Sequence, residues 1–247
     1  MQLVVAALLV LACSGPALAG EVLVAVAANF AGPMARIGEA FAASTGHVLK
    51  VSTASTGKFY TQIVGGAPFE VFLAADDETP RRLLAESHAV AGTGFTYAIG
   101  KLVLWSARPG LVDDQGAVLA SNRFRYLAVG NPKTAPYGAA AHQVLKARGL
   151  TQALAPRLVT GESIAQAYQF VATGNAEIGF VALSQVTLPG KSAKGSMWRV
   201  PQDLYTEIRQ DAVLLKAGSS NPAALALLDF LKGETARQII RDHGYGH

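Results

Sequence analysis

Cysteine is almost missing. The 247 residues hold one, Cys13, and it sits in an N-terminal segment that reads as a secretory signal. The mature chain expected from that signal has no thiol, so neither a disulfide framework nor thiolate chemistry is open to it. Histidine is scarce too. His47, His88, His142, His243 and His247 form no i, i+4 pair and have no cysteine partner, which argues against zinc. Charged residues make up only 15%, and 21 Lys and Arg against 17 Asp and Glu leave a net charge of +4. The cations are scattered, with no basic run interleaved with aromatics, so a nucleic-acid surface is not expected. A mild positive field still favours an anionic partner kinetically. Beyond the N-terminus no segment is long and apolar enough to span a membrane, and no fixed-period repeat of solenoid type occurs.

Apolar residues are abundant, at 51%. That content describes a well-buried globular protein of one large or two medium domains, without the composition of disorder. The first 19 residues are predicted to be a signal peptide. An apolar stretch ends in the small-x-small pattern Ala17-Leu18-Ala19, although the segment before it carries no Lys or Arg. Val10-Leu11-Ala12-Cys13 is a poor lipoprotein signal, and the bland alternative is a buried N-terminal strand.

The next stretch is the most informative. A continuous apolar run from Val22 ends in Asn29, and Phe30, Met34, Ile37 and Phe41 follow at helical spacing. Asn is a favoured N-cap, so a strand, a sharp turn and a helix start are expected. The rhythm then repeats. Strands are expected at 47–54, 69–74, 95–105, 126–129, 178–183 and 212–217, with 198–201 as edge neighbour to the 178–183 strand. Helices are expected to open at Phe59, at Thr79-Pro80, at Pro136-Tyr137-Gly138, after Ser163 and at Asn221-Pro222. The long strand at 95–105 has the length to carry the chain from one lobe to another. Alternation of this kind implies mainly parallel sheets with helices on both faces. About six βα units are too few for an eight-fold barrel, so two α/β lobes are expected.

Four turns share one form, with small or polar residues where a strand ends or a helix begins. They are Ala28-Asn29, Ser55-Thr56-Gly57, Pro136-Tyr137-Gly138 and Ser163-Ile164. Ligands in open α/β sheets bind beyond the carboxyl ends of strands, and helix starts attract anions. Taken singly, each turn is an ordinary cap. Ser55 and Lys58 also have the S-x-x-K spacing of penicillin-recognising hydrolases, but no Ser-Asp-Asn occurs and Lys133-Thr134 lacks its Gly. A phosphate loop is not complete either, since Ser52 stands where the first Gly belongs. Asp76-Asp77-Glu78 reads as a solvated run before a helix, and Arg81-Arg82 as an exposed helix face.

Several segments together carry a resemblance. They are Val24-Ala-Val-Ala-Ala-Asn29-Phe30, Ser52-Thr-Ala-Ser55-Thr56-Gly57-Lys58, Gly66-Ala67-Pro68-Phe69-Glu70, Leu127-Ala-Val-Gly-Asn131-Pro132 and Gly174-Asn-Ala-Glu-Ile-Gly179-Phe-Val. Across nearly all of the mature chain the sequence resembles the periplasmic molybdate-binding proteins of ABC transporters. The resemblance implies a two-lobed periplasmic-binding-protein fold, with 20–100 and 203–247 in lobe 1 and 101–202 in lobe 2. Crossing strands near 99–101 and 201–205 would act as hinges. It implies a tetrahedral oxyanion, molybdate or tungstate, held by Asn29 with Ala28 beside it, Thr56 next to Ser55, Tyr137, and the backbone N–H of Ile164. Ala182 stands where some members place a tyrosine, so the Tyr137 phenol is expected to serve instead. Molybdenum enters only as the oxyanion. No cofactor, no catalysis and a monomer that docks on a membrane permease are implied, at a periplasmic location. A receptor for another oxyanion such as sulfate is the first alternative; a serine hydrolase using Ser55 and Lys58 is the second.

Overall fold

A computed structural model of the chain describes residues 19–187, 190 and 194–246. Residues 1–18, with Cys13 and most of the expected signal, lie outside the described residues. The apolar run after Glu21 forms β1 (Glu21–Ala27), in which Val22, Val24, Ala25 and Val26 are fully buried. It pairs in parallel with β2 (Val48–Ala54) on one side and β3 (Val71–Leu73) on the other. Between them run α1 (Ala31–Thr45), which buries Met34, Ile37 and Phe41, and α2 (Thr56–Val64), which buries Phe59 and Ile63. Helix α3 (Glu78–Ala85) follows β3.

The expected long strand at 95–105 is two strands. β4 (Phe95–Gly100) belongs to the first sheet, β5 (Leu102–Ser106) to the second, and Lys101 is the step between them. The second sheet grows from β6 (Leu127–Gly130), α4 (Pro136–Ala147), α5 (Thr151–Leu154), β7 (Leu158–Gly161), α6 (Ile164–Ala172), β8 (Ile178–Ala182), α7 (Leu183–Val186) and β9 (Ser196–Arg199). The chain then returns through 200–207 to β10 (Ile208–Leu214) in the first sheet, and ends in α8 (Pro222–Lys232) and α9 (Glu234–Asp242).

The strand orders are β2-β1-β3-β10-β4 and β7-β6-β8-β5-β9. Each sheet is three parallel strands, then one strand antiparallel to both its neighbours, then an edge. The antiparallel strands, β10 and β5, are in each case the first strand after a crossing. Four strands of each sheet therefore run one way and point their carboxyl ends toward the same side. This is the mixed α/β, two-sheet arrangement expected from the strand–helix rhythm.

Local departures have identifiable causes. β10 starts at Ile208 rather than 212, because its polar Arg209-Gln210-Asp211 is stabilised by partners that sequence does not show, including Thr96 Oγ1 on Asp211 at 2.7 Å. Trp198 lies on an edge strand, but its partner is β5 and not the 178–183 strand. Helix α3 begins at Glu78, and Thr79 is not its cap. The Asp76 carboxylate instead accepts from Thr79 N at 2.9 Å and Thr79 Oγ1 at 3.0 Å. β7 has no counterpart among the expected strands; four residues next to a short 3₁₀ turn carry too little periodicity.

Gly100, the last residue of β4, packs against side chains from both halves of the fold, Gln210 of β10 and Tyr137 of α4. A Cβ there would collide with the Tyr137 hydroxyl and stand 2.6 Å from Gln210 Nε2. Both of those side chains are fully buried and have nowhere to move. Gly100→Ala is therefore expected to destabilise the fold by about 1–3 kcal/mol, the ordinary cost of overpacking. Denaturant unfolding measures it, and an unchanged midpoint would contradict the packing described.

Candidate functional site

The carboxyl ends of the strands and the starts of three helices surround one small cavity, lined by Ala28, Asn29, Ser55, Thr56, Tyr137 and Ile164 together with small neighbours. All six are buried. None of the lining residues is a Lys, Arg, Asp, Glu or His. Charged side chains stand outside it. Asp76, Arg82, Lys133, Glu207 and Arg209 line a wider groove that shares only Ala75, Ala135 and Pro136 with the cavity.

Helix geometry supplies the donors. The first N–H groups of a helix have no acceptor within it, and they form the positive end of its dipole. α2 opens at Thr56 and α6 at Ile164. α4 opens at Pro136, which has no N–H, so Tyr137 is its first donor. At α6 the Ser163 hydroxyl caps Gln166 N at 3.3 Å and leaves the Ile164 N–H uncapped. At α2 the Gly57 N–H is taken by the Thr134 carbonyl at 2.9 Å, which leaves that of Thr56. The Thr56 hydroxyl accepts from Ala75 N at 2.9 Å, so its own proton is free for another partner. Ser55 occupies the cap position of α2, yet its side chain makes no capping bond.

Asn29 differs from its sequence expectation. It lies in a 3₁₀ turn, Ala28–Phe30, ahead of α1, and caps nothing. Its Nδ2 donates to Gln210 Oε1 at 2.8 Å and to the Tyr245 hydroxyl at 3.0 Å, while its Oδ1 is buried with no partner. The Tyr137 phenol, expected to face a ligand, accepts from Gln210 Nε2 at 3.0 Å. Burial pushes the Tyr137, Tyr97 and Tyr245 phenols well above the ordinary tyrosine pKa, so all three stay protonated. Gln210, fully buried on β10, is the residue that sequence reasoning misses. Its one signal is a lone amide just ahead of the apolar 212–215 run, outside the strand expected there.

Ser55 and Lys58 do not form a nucleophile pair: Ser55 is buried, Lys58 is exposed, and no hydrogen bond joins them. Asp76 is not a fully solvated member of its acidic run either. It is half-buried, and burial, with Glu78 and Asp77 adding, outweighs its bonds from Thr79 and raises its pKa to about 6.

Residues 22–246 match the family of bacterial extracellular solute-binding proteins. The chain belongs to that family. It is 63% identical to the molybdate-binding protein ModA of Azotobacter vinelandii over 96% of this chain and 93% of the relative. It is 56% identical to ModA of Rhodobacter capsulatus over 96% and 92% of the two chains. The solved periplasmic molybdate-binding protein of Azotobacter vinelandii superposes with a TM-score of 0.90 at 43% identity, covering 92% of this chain and 99% of that one.

In this solute-binding protein the Gly57–Thr134 bond joins α2, beside the first sheet, to the loop that opens α4, beside the second. A Cβ on Gly57 would stand 3.0 Å from Thr134 Cα and 3.1 Å from its Cβ. Gly57→Val therefore blocks this approach. It is expected to weaken ligand affinity by about tenfold or more, at the scale of an overpacked contact. Calorimetry on the valine variant reads this; affinity equal to the parent would show that the approach is not needed.

Asp76 gives a pH dependence. Its folded pKa of about 6 exceeds the ordinary aspartate value, so the folded state holds the proton more tightly. Its stabilising effect is complete below about pH 4 and is lost as pH rises through about 6. Asp76→Asn removes that loss, so the melting-temperature advantage of the variant should grow from about pH 4 to about pH 7. An advantage that shrinks with rising pH would refute the assignment.

Proposed function

We propose that this solute-binding protein takes up molybdate, and tungstate with it, as a bare dianion in the cavity between the two sheets. It then delivers the ion to the membrane permease of an ABC importer. The observation that carries this is the convergence of uncapped helix-start N–H groups on a cavity with no Lys, Arg, Asp, Glu or His in its wall. The high identity to molybdate-binding relatives supports the same ligand.

The contacts proposed are the N–H groups of Thr56, Tyr137 and Ile164, the Thr56 hydroxyl, and Asn29 with Ala28 and Ser55 beside it. Each helix start acts as about half a positive charge, so several together offset much of a dianion. Each charge-assisted bond contributes about 1.5–3 kcal/mol. A wall that only donates leaves the proton of hydrogen phosphate without an acceptor, whereas molybdate, tungstate and sulfate carry none at neutral pH. Sulfate is then separated by size, and it is the second reading. We take 20–100 with 203–247 as one lobe and 101–202 as the other, in keeping with the sheet membership of the strands. Closure of the lobes on the ion involves the crossings at Lys101 and 200–207. The protein acts as a monomer in the periplasm, after removal of 1–19, with no cofactor and no turnover.

A thermal-shift panel of molybdate, tungstate, sulfate, phosphate and chromate tests the ligand. Molybdate and tungstate should raise the melting temperature most and phosphate not at all; no response to molybdate would end the proposal. Within the site, Thr56→Ala is expected to weaken molybdate by about tenfold or more. Lys58→Ala should leave the affinity unchanged, as a hydrolase centred on Ser55 and Lys58 would not allow.

A further inference from the structure

The amide of Gln210 touches residues from both sides of the cavity. Oε1 faces Asn29 Nδ2 at 2.8 Å and the Tyr97 hydroxyl at 3.0 Å, and Nε2 faces the Tyr137 hydroxyl at 3.0 Å. Two features of the chain aim this side chain. The pairing of β10 with β4 slips between Gln210 and Asp211, and such a bulge redirects a side chain. Gly100 supplies the space into which the amide and the Tyr137 phenol fit.

The protons of this network do not balance in that arrangement. Tyr97 has one proton, and two acceptors claim it. The Ala74 carbonyl lies at 2.8 Å and can only accept, so the proton belongs there. Gln210 Oε1 at 3.0 Å then faces an oxygen with no hydrogen between them. Asn29 Oδ1, in a residue 3% exposed, has no donor at all. Beside it is a cavity whose ligand is proposed to be a bare anion, which can only accept.

Inverting the two amides together removes both of these conflicts. Gln210 Nε2 then donates to Asn29 Oδ1 and to the Tyr97 oxygen, while Tyr97 keeps its proton on the Ala74 carbonyl. Gln210 Oε1 accepts from the Tyr137 phenol, which has a proton to give. The Tyr245 hydroxyl, 3.0 Å from the inner end of the Asn29 amide, turns its proton from the Asn29 main-chain carbonyl at 2.9 Å to Oδ1, and Ser184 Oγ, donating at 3.0 Å, keeps that carbonyl bonded while the Tyr245 oxygen is left beside it with no proton between them. The Asn29 NH₂ is left at the end of the amide that has no protein partner. A single amide cannot invert alone, because Asn29 and Gln210 would then present like atoms to each other.

We propose that Gln210 is a positioning residue for the anion site. In the loaded protein it holds the Asn29 amide inverted, so that Asn29 gives N–H rather than C=O to the ion. The proposal rests on the oxyanion reading above. It makes the cavity wall donor-only through a residue that never touches the ligand. Gln210 thereby becomes a determinant of selection against protonated oxyanions, because the opposite orientation would offer Oδ1 to their hydroxyl.

Neutron diffraction from crystals of the wild-type molybdate complex, grown in deuterated solvent, tests this directly. Deuterium on the Asn29 terminal atom turned away from Gln210 is expected; deuterium on the atom facing Gln210 overturns the proposal. Gln210→Glu supplies an independent readout by calorimetry with molybdate. The introduced carboxylate, when ionised, only accepts, so it forces Asn29 Nδ2 inward; when protonated, it has the single donor that Asn29 Oδ1 needs. Affinity should fall about 100-fold near pH 8 and recover at least about tenfold near pH 5, while the wild type stays flat. Equal affinity of the two proteins, or a loss that does not vary with pH, overturns the proposal. Absence of molybdate binding to the wild type would instead remove the ligand reading itself. Should the variant not fold, the neutron experiment on the natural chain decides alone.

Discussion

A helix cannot satisfy its own first N–H groups, and everything around the cavity follows from leaving several of them pointed at one place. Moving a doubly negative ion out of water is very costly unless donors replace its hydration. An arginine or lysine would supply a full charge, but it would also need its own partners when the cavity is empty. Backbone N–H groups are held in place by the helices whether or not a ligand is there. The wall of this cavity contains no charged side chain, and the charged residues of the cleft lie in the outer groove.

Topology explains how so many helix starts reach the same point. In both sheets the parallel strands end on the cavity side, and each is followed by a helix that begins there. Close backbone packing fixes their positions. A Cβ on Gly138, in the first turn of α4, would run into the Gly130 carbonyl at the end of β6. A Cβ on Gly161, at the end of β7, would stand 2.9 Å from Ala167 N in α6. At these two glycines helix and strand meet backbone to backbone, which fixes where the N–H groups of Tyr137 and Ile164 lie. The two crossings, through Lys101 and through 200–207, put a strand from each excursion into the sheet it enters.

Much of this is legible in the chain because it is written in local signals. The apolar run before Asn29, Pro at the start of α4, and Ser163 ahead of Ile164 each mark a helix start, and the six residues singled out line a single cavity. What is not legible depends on distant neighbours. Gln210 reads as a polar residue at a strand's margin, and only Asn29, Tyr97 and Tyr137, from three other elements, explain its burial. Asn29 reads as a cap because Asn caps helices, but its amide is drawn inward by Gln210 and Tyr245 instead. Asp76 reads as solvated because it stands in an acidic run, yet the turn before α3 folds it inward onto Thr79. In each case local propensity is overridden by a long-range hydrogen bond or by burial.

The division of labour between chemistry and size follows from the same wall. Hydrogen-bond donors sort anions by protonation, and they do so regardless of radius. Sulfate and molybdate are equal on that count, so only the space between the donors can separate them. Half of the residues that bound that space are alanine or proline: Ala27, Ala28, Ala75, Ala135 and Pro136. Such groups have no side-chain torsions with which to collapse around a smaller ion. A sulfate placed among donors spaced for a larger tetrahedron would lengthen several bonds at once, and charge-assisted bonds weaken with distance. Selectivity in this proposal is therefore stored in the rigidity of the backbone frame, and the glycine contacts that hold α4 and α6 against their strands are as much a part of it as the residues that touch the ion.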